Sequence, residues 1–97
     1  EGVTVYTDNG YYVNAINESS HEYMFSFRFV TEGYTISYAE WSQYPIYTLV
    51  SSTEDVYEHL RILPGEQRSL FTAPESSNSD ISYWIVITEA YNISIVP

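Results

Sequence analysis

Tyr23-Met24-Phe25-Ser26-Phe27-Arg28-Phe29-Val30 carries an aromatic ring at every second residue, with Met, Ser, Arg and Val in between. Successive side chains of a β-strand point to opposite faces, so Tyr23, Phe25, Phe27 and Phe29 share one face. Four rings there build a large part of one wall of a core. The period of two recurs on both sides. Val3 and Val5 alternate with Thr4 and Tyr6 until Asp8-Asn9-Gly10 interrupts, and Asn-Gly between alternating runs marks a hairpin because its turn needs positive φ at both positions. Tyr11, Val13 and Ala15 then oppose Tyr12, Asn14 and Ile16, so one of the two adjacent tyrosines faces outward. Downstream, Glu32-Gly33 reads as a turn into Tyr34, Ile36 and Tyr38, residues 40–45 as a loop, and Ile46 to Val50 as a short strand.

Ser51 to Asp55 reads as a polar connection. Residues 53–63 fit a helical stripe (Val56, Leu60, Leu63) and also period two (Val56, Glu58, Leu60, Ile62); the extended reading is preferred, ending at the Leu63-Pro64-Gly65-Glu66 turn. Gln67 to Ala73 returns as a strand, Pro74 to Asp80 is a polar loop, and Ile81 to Ala90 and Tyr91 to Val96 are the last two strands. In the first of these, Trp84, Val86 and Thr88 are assigned to one face and Tyr83, Ile85 and Ile87 to the other.

Composition agrees with the pattern. Ile, Val and Thr number 9, 8 and 8 against 8 for Leu and Ala together, and 11 residues are Tyr. Branched and aromatic side chains suit a pleated surface better than a helix. The expectation is an all-β domain spanning residues 1–97, an antiparallel sandwich of seven to nine strands, with a closed barrel as the rival. At 97 residues and 11.2 kDa, about 5,700 Å² should remain exposed of about 16,000 Å² in the unfolded chain, enough burial for an independent core.

Val13 to Ser19, Phe25-Ser26-Phe27-Arg28-Phe29, Ile62-Leu63-Pro64-Gly65-Glu66 and Tyr83-Trp84-Ile85-Val86-Ile87 together resemble bacterial immunoglobulin-like domains. These often set an Asn-x-Ser turn before an aromatic strand and a Pro-Gly-Glu turn late in the chain. The layout is also similar to small immunoglobulin-like bacterial proteinase inhibitors. The resemblance implies an immunoglobulin-like β-sandwich and no particular activity, because that architecture hosts many. The chain has no cysteine and so lacks the Cys…Trp…Cys spacing of antibody domains.

Charge narrows the function classes. Thirteen acidic residues face three arginines and no lysine, a formal charge of −10. Nucleic-acid binders and basic membrane-surface proteins need clustered cations, so neither is expected, nor is insertion into a membrane, since no apolar run approaches 18 residues. Without lysine or cysteine there is no Schiff base, no phosphate-loop lysine and no thiolate. His21 and His59 each adjoin a glutamate, but adjacent strand residues diverge and neither pair has ligand spacing; both read as surface histidines. No serine sits in a nucleophile elbow. No catalytic residue, metal site or cofactor is expected. Asp8 to Gly10, Glu54-Asp55 and Glu75 to Asp80 offer oxygen ligands of the type calcium takes, yet none matches an EF-hand loop. Asn17 and Asn92 begin Asn-x-Ser sequons at a frequency chance explains.

Tyrosine and tryptophan are the one excess that points to binding, since each pairs a flat apolar body with a polar tip. Trp41, Tyr44 and Tyr47, in or beside the Pro45 loop, are the candidate binding residues. A chain starting at Glu1 and ending at Pro97 reads as a mature or trimmed fragment of a secreted or cell-surface protein. The expected function is a non-catalytic binding or spacer module that mediates protein interaction or adhesion, with a protein or glycan ligand at a surface. A carbohydrate-binding module and a proteinase inhibitor using Pro74 to Asp80 are the alternatives. The oligomeric state is left open.

Overall fold

The computed structural model describes residues 2–74 and 81–97, and among them it contains strands and no helix. The strands are β1 (Val3–Asp8), β2 (Tyr12–Asn17), β3 (Tyr23–Tyr38), β4 (Pro45–Ile62), β5 (Gln67–Thr72) and β6 (Ile81–Ile95). They form two antiparallel three-stranded sheets, ordered β1-β2-β5 and β4-β3-β6. Residues 75–80, most of the expected loop, lie outside the described residues.

Six strands stand where seven to nine were expected, because three pairs run together. Gly33 does not turn the chain: β3 continues through it to Tyr38. Its missing side chain serves a close approach instead, since a Cβ there would lie 2.5 Å from Ser51 Oγ and 3.0 Å from the Tyr83 ring. Ser51 to Asp55, polar because both faces there are largely uncovered, is the middle of β4. Tyr91 continues β6, where Asn92 (φ 52°) absorbs an extra residue between the Ser26–Tyr91 and Met24–Ser94 pairs. A second bulge corrects the face assignment in β6. Val30 pairs Ile87 and Thr31 pairs Ile85, so Val86 is the extra residue and Thr88, opposite Phe29, joins Ile85 on the inner side.

The turns read from sequence form as expected. Asn9 and Gly10 take φ of 55° and 66°, and Tyr11 N–H donates to Asp8 C=O at 3.0 Å. Gly65 takes φ 74°, with Glu66 N–H donating to Leu63 C=O and the Glu66 carboxylate accepting from Leu63 N–H. Tyr11 packs against the core and Tyr12 faces out, their rings edge to face at 4.7 Å.

The core joins the layers. Val3, Val13 and Ala15 from one sheet meet Phe25, Phe27, Phe29, Ile62 and Ile85 from the other, with Ala73 beyond β5. Phe27 stacks on Phe29 at 5.7 Å and on Tyr57 at 5.1 Å, and Phe29 meets Phe71 across the interface at 4.5 Å. Asn17, fully buried, ties two turns together. Its Nδ2 donates to the carbonyls of His21, Leu63 and Ile62 at 2.8, 3.1 and 3.2 Å, and its Oδ1 accepts from Ser19 N–H and O–H. The Asn17-Glu18-Ser19 sequon is therefore an internal turn lock, with its amide nitrogen held inside the fold.

Candidate functional site

Strand lengths decide where the functional surface lies. β1, β2 and β5 have six residues each, about 20 Å, whereas β3, β4 and β6 have 16, 18 and 15. The short sheet covers the Phe25–Phe29 half of β3. Beyond Gly33 no facing layer covers the long sheet among the described residues, and the residues of β3 are exposed from Ile36 onward. The chain spans 60 × 21 × 21 Å, with a radius of gyration of 16.8 Å where a compact chain of this length has about 12.5 Å. Its accessible surface, 6448 Å², exceeds the roughly 5,700 Å² expected for its mass. An arm made of the β3–β4 hairpin, with only the first residues of β6 beside its base, thus projects from a small two-layer body.

Trp41 and Tyr44 sit together at the tip of this arm, in the turn between β3 and β4, and are 88% and 72% exposed. Ser42 N–H donates to Ala39 C=O and Tyr44 N–H to Ser42 Oγ, both at 3.1 Å, so the turn is internally bonded. Tyr47 is not part of the tip. It lies on β4 opposite Ile36, on the outer face of the arm, and its ring meets Tyr34 edge to face at 6.4 Å and 86°.

A shallow apolar cleft of about 430 Å³ opens there, lined by Tyr34, Tyr47, Ser82, Tyr83 and Trp84. The Tyr34 hydroxyl donates to the Glu32 carboxylate. That bond, followed by desolvation and the negative charge of Glu32, holds the phenol above its ordinary pKa of 10.0. Trp84, cross-strand from Glu32, packs on the β1–β2 turn: a Cβ at Gly10 would fall 2.2 Å from the indole, and Gly10 C=O accepts from Ile85 N–H at 2.7 Å. The sequence grouped Trp41, Tyr44 and Tyr47; the fold separates Tyr47 from the other two and gives it Tyr34 and Trp84 as neighbours. Tyr34, Ile36 and Tyr38 already stood at period two in the sequence, a signal of a shared face.

The outer edge of β4 is the second feature. β4 takes all its ladder partners from β3, with no strand on its other side among the described residues. Near its C-terminal end Arg68 Nη2 donates to Arg61 C=O, whereas Ile46, Tyr47, Leu49 and Val50 are exposed on an edge with no partner among the described residues.

The remaining candidates have plain placements. His21 and His59 are exposed, Asp8 to Gly10 is the hairpin turn, and Glu54 and Asp55 point to opposite faces of β4 opposite Val30 and Phe29. Among the described residues no three His, Asp or Glu side chains converge. No helix is long and apolar enough to cross a membrane. No protein-family model, curated protein or solved structure matches this chain.

Proposed function

We propose that the chain is a non-catalytic binding module of an exported or cell-surface protein, and that its projecting arm contacts a protein ligand. The observation that carries this reading is the arm itself. A spacer has no use for Trp41, Tyr44, Tyr47 and Trp84 in water, whereas Trp and Tyr are the residues that anchor protein interfaces. The arm offers a mixed aromatic and aliphatic surface beside an unpaired backbone edge, the combination a protein ligand uses. A glycan platform wants rings lying parallel along a groove, and Tyr34 and Tyr47 stand at 86°. The charge of −10 keeps the module soluble and turns it away from anionic surfaces.

The body is read as immunoglobulin-like. β1-β2-β5 facing β4-β3-β6 corresponds to strands A-B-E facing C′-C-F of that architecture. The seventh strand, G, which would lie beside β6, has no counterpart among the described residues. The inhibitor alternative rests on residues 75–80, outside the described residues, and nothing else favours it.

Photo-crosslinking tests the reading. A benzophenone amino acid placed at Tyr44 or Tyr47 in the parent protein, in its native setting, is expected to capture one discrete protein, and the same group at Tyr6 on the body is expected to capture none. Capture from Tyr6 alone would overturn it. So would binding to a glycan array that Trp41→Ala abolishes.

A further inference from the structure

We infer that the outer edge of β4 over residues 46–52 accepts an extended segment of the partner as a fourth strand, and that this segment carries Lys or Arg at both ends. The inference rests on the reading that the arm contacts a protein. It starts from a contrast within one sheet. Long exposed edges invite pairing, and natural sheets protect them with charges, bulges or cover. β6 is covered in part: the Gly10 carbonyl takes the Ile85 N–H and Trp84 folds over the same turn. The C-terminal half of β4 carries Glu54, Asp55 and Glu58, and His59 at φ 60° breaks its regularity.

The N-terminal half carries no charged residue to protect it, and its one irregularity is Val50, the extra residue between the Gly33–Ser51 and Tyr34–Leu49 pairs. Ile46-Tyr47-Thr48-Leu49-Val50-Ser51-Ser52 holds no charge and no glycine or proline, and is exposed throughout. Its length, about 23 Å, suits a short peptide strand. Its side chains on both faces are open, so an added strand gains contact with Tyr47 and Leu49 on one side and Ile46 and Thr48 on the other.

Charge selects the partner. The uncharged edge lies between Glu40 at the tip and Glu54-Asp55 at the other end, with Glu32 on the outer face opposite Ser52. All three arginines are elsewhere: Arg28 is paired with Glu89, and Arg61 and Arg68 lie at the far end of the body. An arm with acids at both ends of a neutral edge and no cation favours a strand with cationic ends. The arm of a second copy brings the same acids and no cation, so pairing edge to edge gains nothing from that arrangement.

The test uses three synthetic peptides and the whole chain. The first has a seven-residue alternating Thr/Val core with two lysines at each end. The second replaces the lysines by glutamates, and the third keeps the lysines but N-methylates alternate amides so that no ladder can form. The lysine peptide is expected to bind at least about tenfold tighter than either control, with amide shifts concentrated in residues 45–53 and affinity falling as salt rises. Neutralising Glu40, Glu54 and Asp55 to Gln, Gln and Asn is expected to erase most of its advantage over the glutamate peptide. Equal binding of the N-methylated peptide would reduce the contact to charge alone and overturn the inference. Shifts on β6 or the body would do the same, as would a concentration-dependent dimer with protected β4 amides, which would give the edge to a second copy. Failure of all three peptides while Tyr44 and Tyr47 still crosslink a protein would overturn this partner class and leave the arm as contact surface. Loss of the crosslinks as well would remove both.

Discussion

Phe27→Ala is expected to destabilise the domain by about 3–5 kcal/mol, the largest loss of any single truncation in the core. Phe27 is fully buried at the centre of a stack, with Phe25 at 6.3 Å, Phe29 at 5.7 Å and Tyr57 at 5.1 Å. Removing the ring leaves a cavity that the neighbouring rings cannot fill, because each is held in place by its own strand. A domain this small has about 5–15 kcal/mol in total, so the variant melts tens of degrees lower or fails to fold at growth temperature. Tyr47→Ala, on the exposed arm, is the matched control and is expected to stay within about 0.5 kcal/mol of the parent. Urea titration of both proteins reads the difference.

Asn17→Ala is expected to cost about 3 kcal/mol, chiefly through the hydrogen bonds it removes. The side chain satisfies three carbonyls and two donors of Ser19, and the Ile62 carbonyl it bonds lies in the buried end of β4. Leaving such groups without partners costs about 1–3 kcal/mol each where water cannot reach them. Asn17→Asp separates hydrogen bonding from shape. At neutral pH it sets a carboxylate against three carbonyl oxygens, so it should be at least as unstable as the alanine variant. Protonation restores a donor there. The introduced carboxyl has its folded pKa raised, so stability is present at low pH and lost as pH rises through that value. Melting curves from pH 3 to 7 are expected to show this recovery on acidification, which Asn17→Ala cannot show.

Where local chemistry alone decides an element, the sequence was legible. Asn9-Gly10 needs positive φ twice, Pro64-Gly65 turns the chain, and the rings of Phe25, Phe27 and Phe29 demand one buried face. Residues 53–63 are extended as preferred. The misreadings share a cause: the residues that break pattern can also serve a neighbouring strand. Gly33 looked like a turn because glycine permits one, yet its role is to let Ser51 and Tyr83 come close. Ser51 to Asp55 looked like a loop because polar residues also suit an uncovered strand. The bulge at Val86 reverses face parity, a shift that a strict period of two cannot register.

The candidate site was legible as a region and not as an arrangement. Trp41 and Tyr44 share the tip as their closeness in the chain implies, but Tyr47 belongs to a cleft whose other walls, Tyr34 and Trp84, come from β3 and β6. That grouping depends on strand register. The projection of the arm depends on something further removed: six-residue strands facing partners of 15 to 18 residues. Each length can be guessed separately, but the mismatch exists only once β3 and β4 are known to run through their apparent breaks.

Small-angle X-ray scattering, extrapolated to zero concentration with the mass confirmed at 11.2 kDa, tests that projection most directly. A radius of gyration close to 17 Å, near the 16.8 Å of the Cα trace, and a longest dimension of about 60 Å are expected. A value near 13 Å at that mass would mean that the arm is folded against the body, with its aromatic face and β4 edge covered from within, and would contradict it.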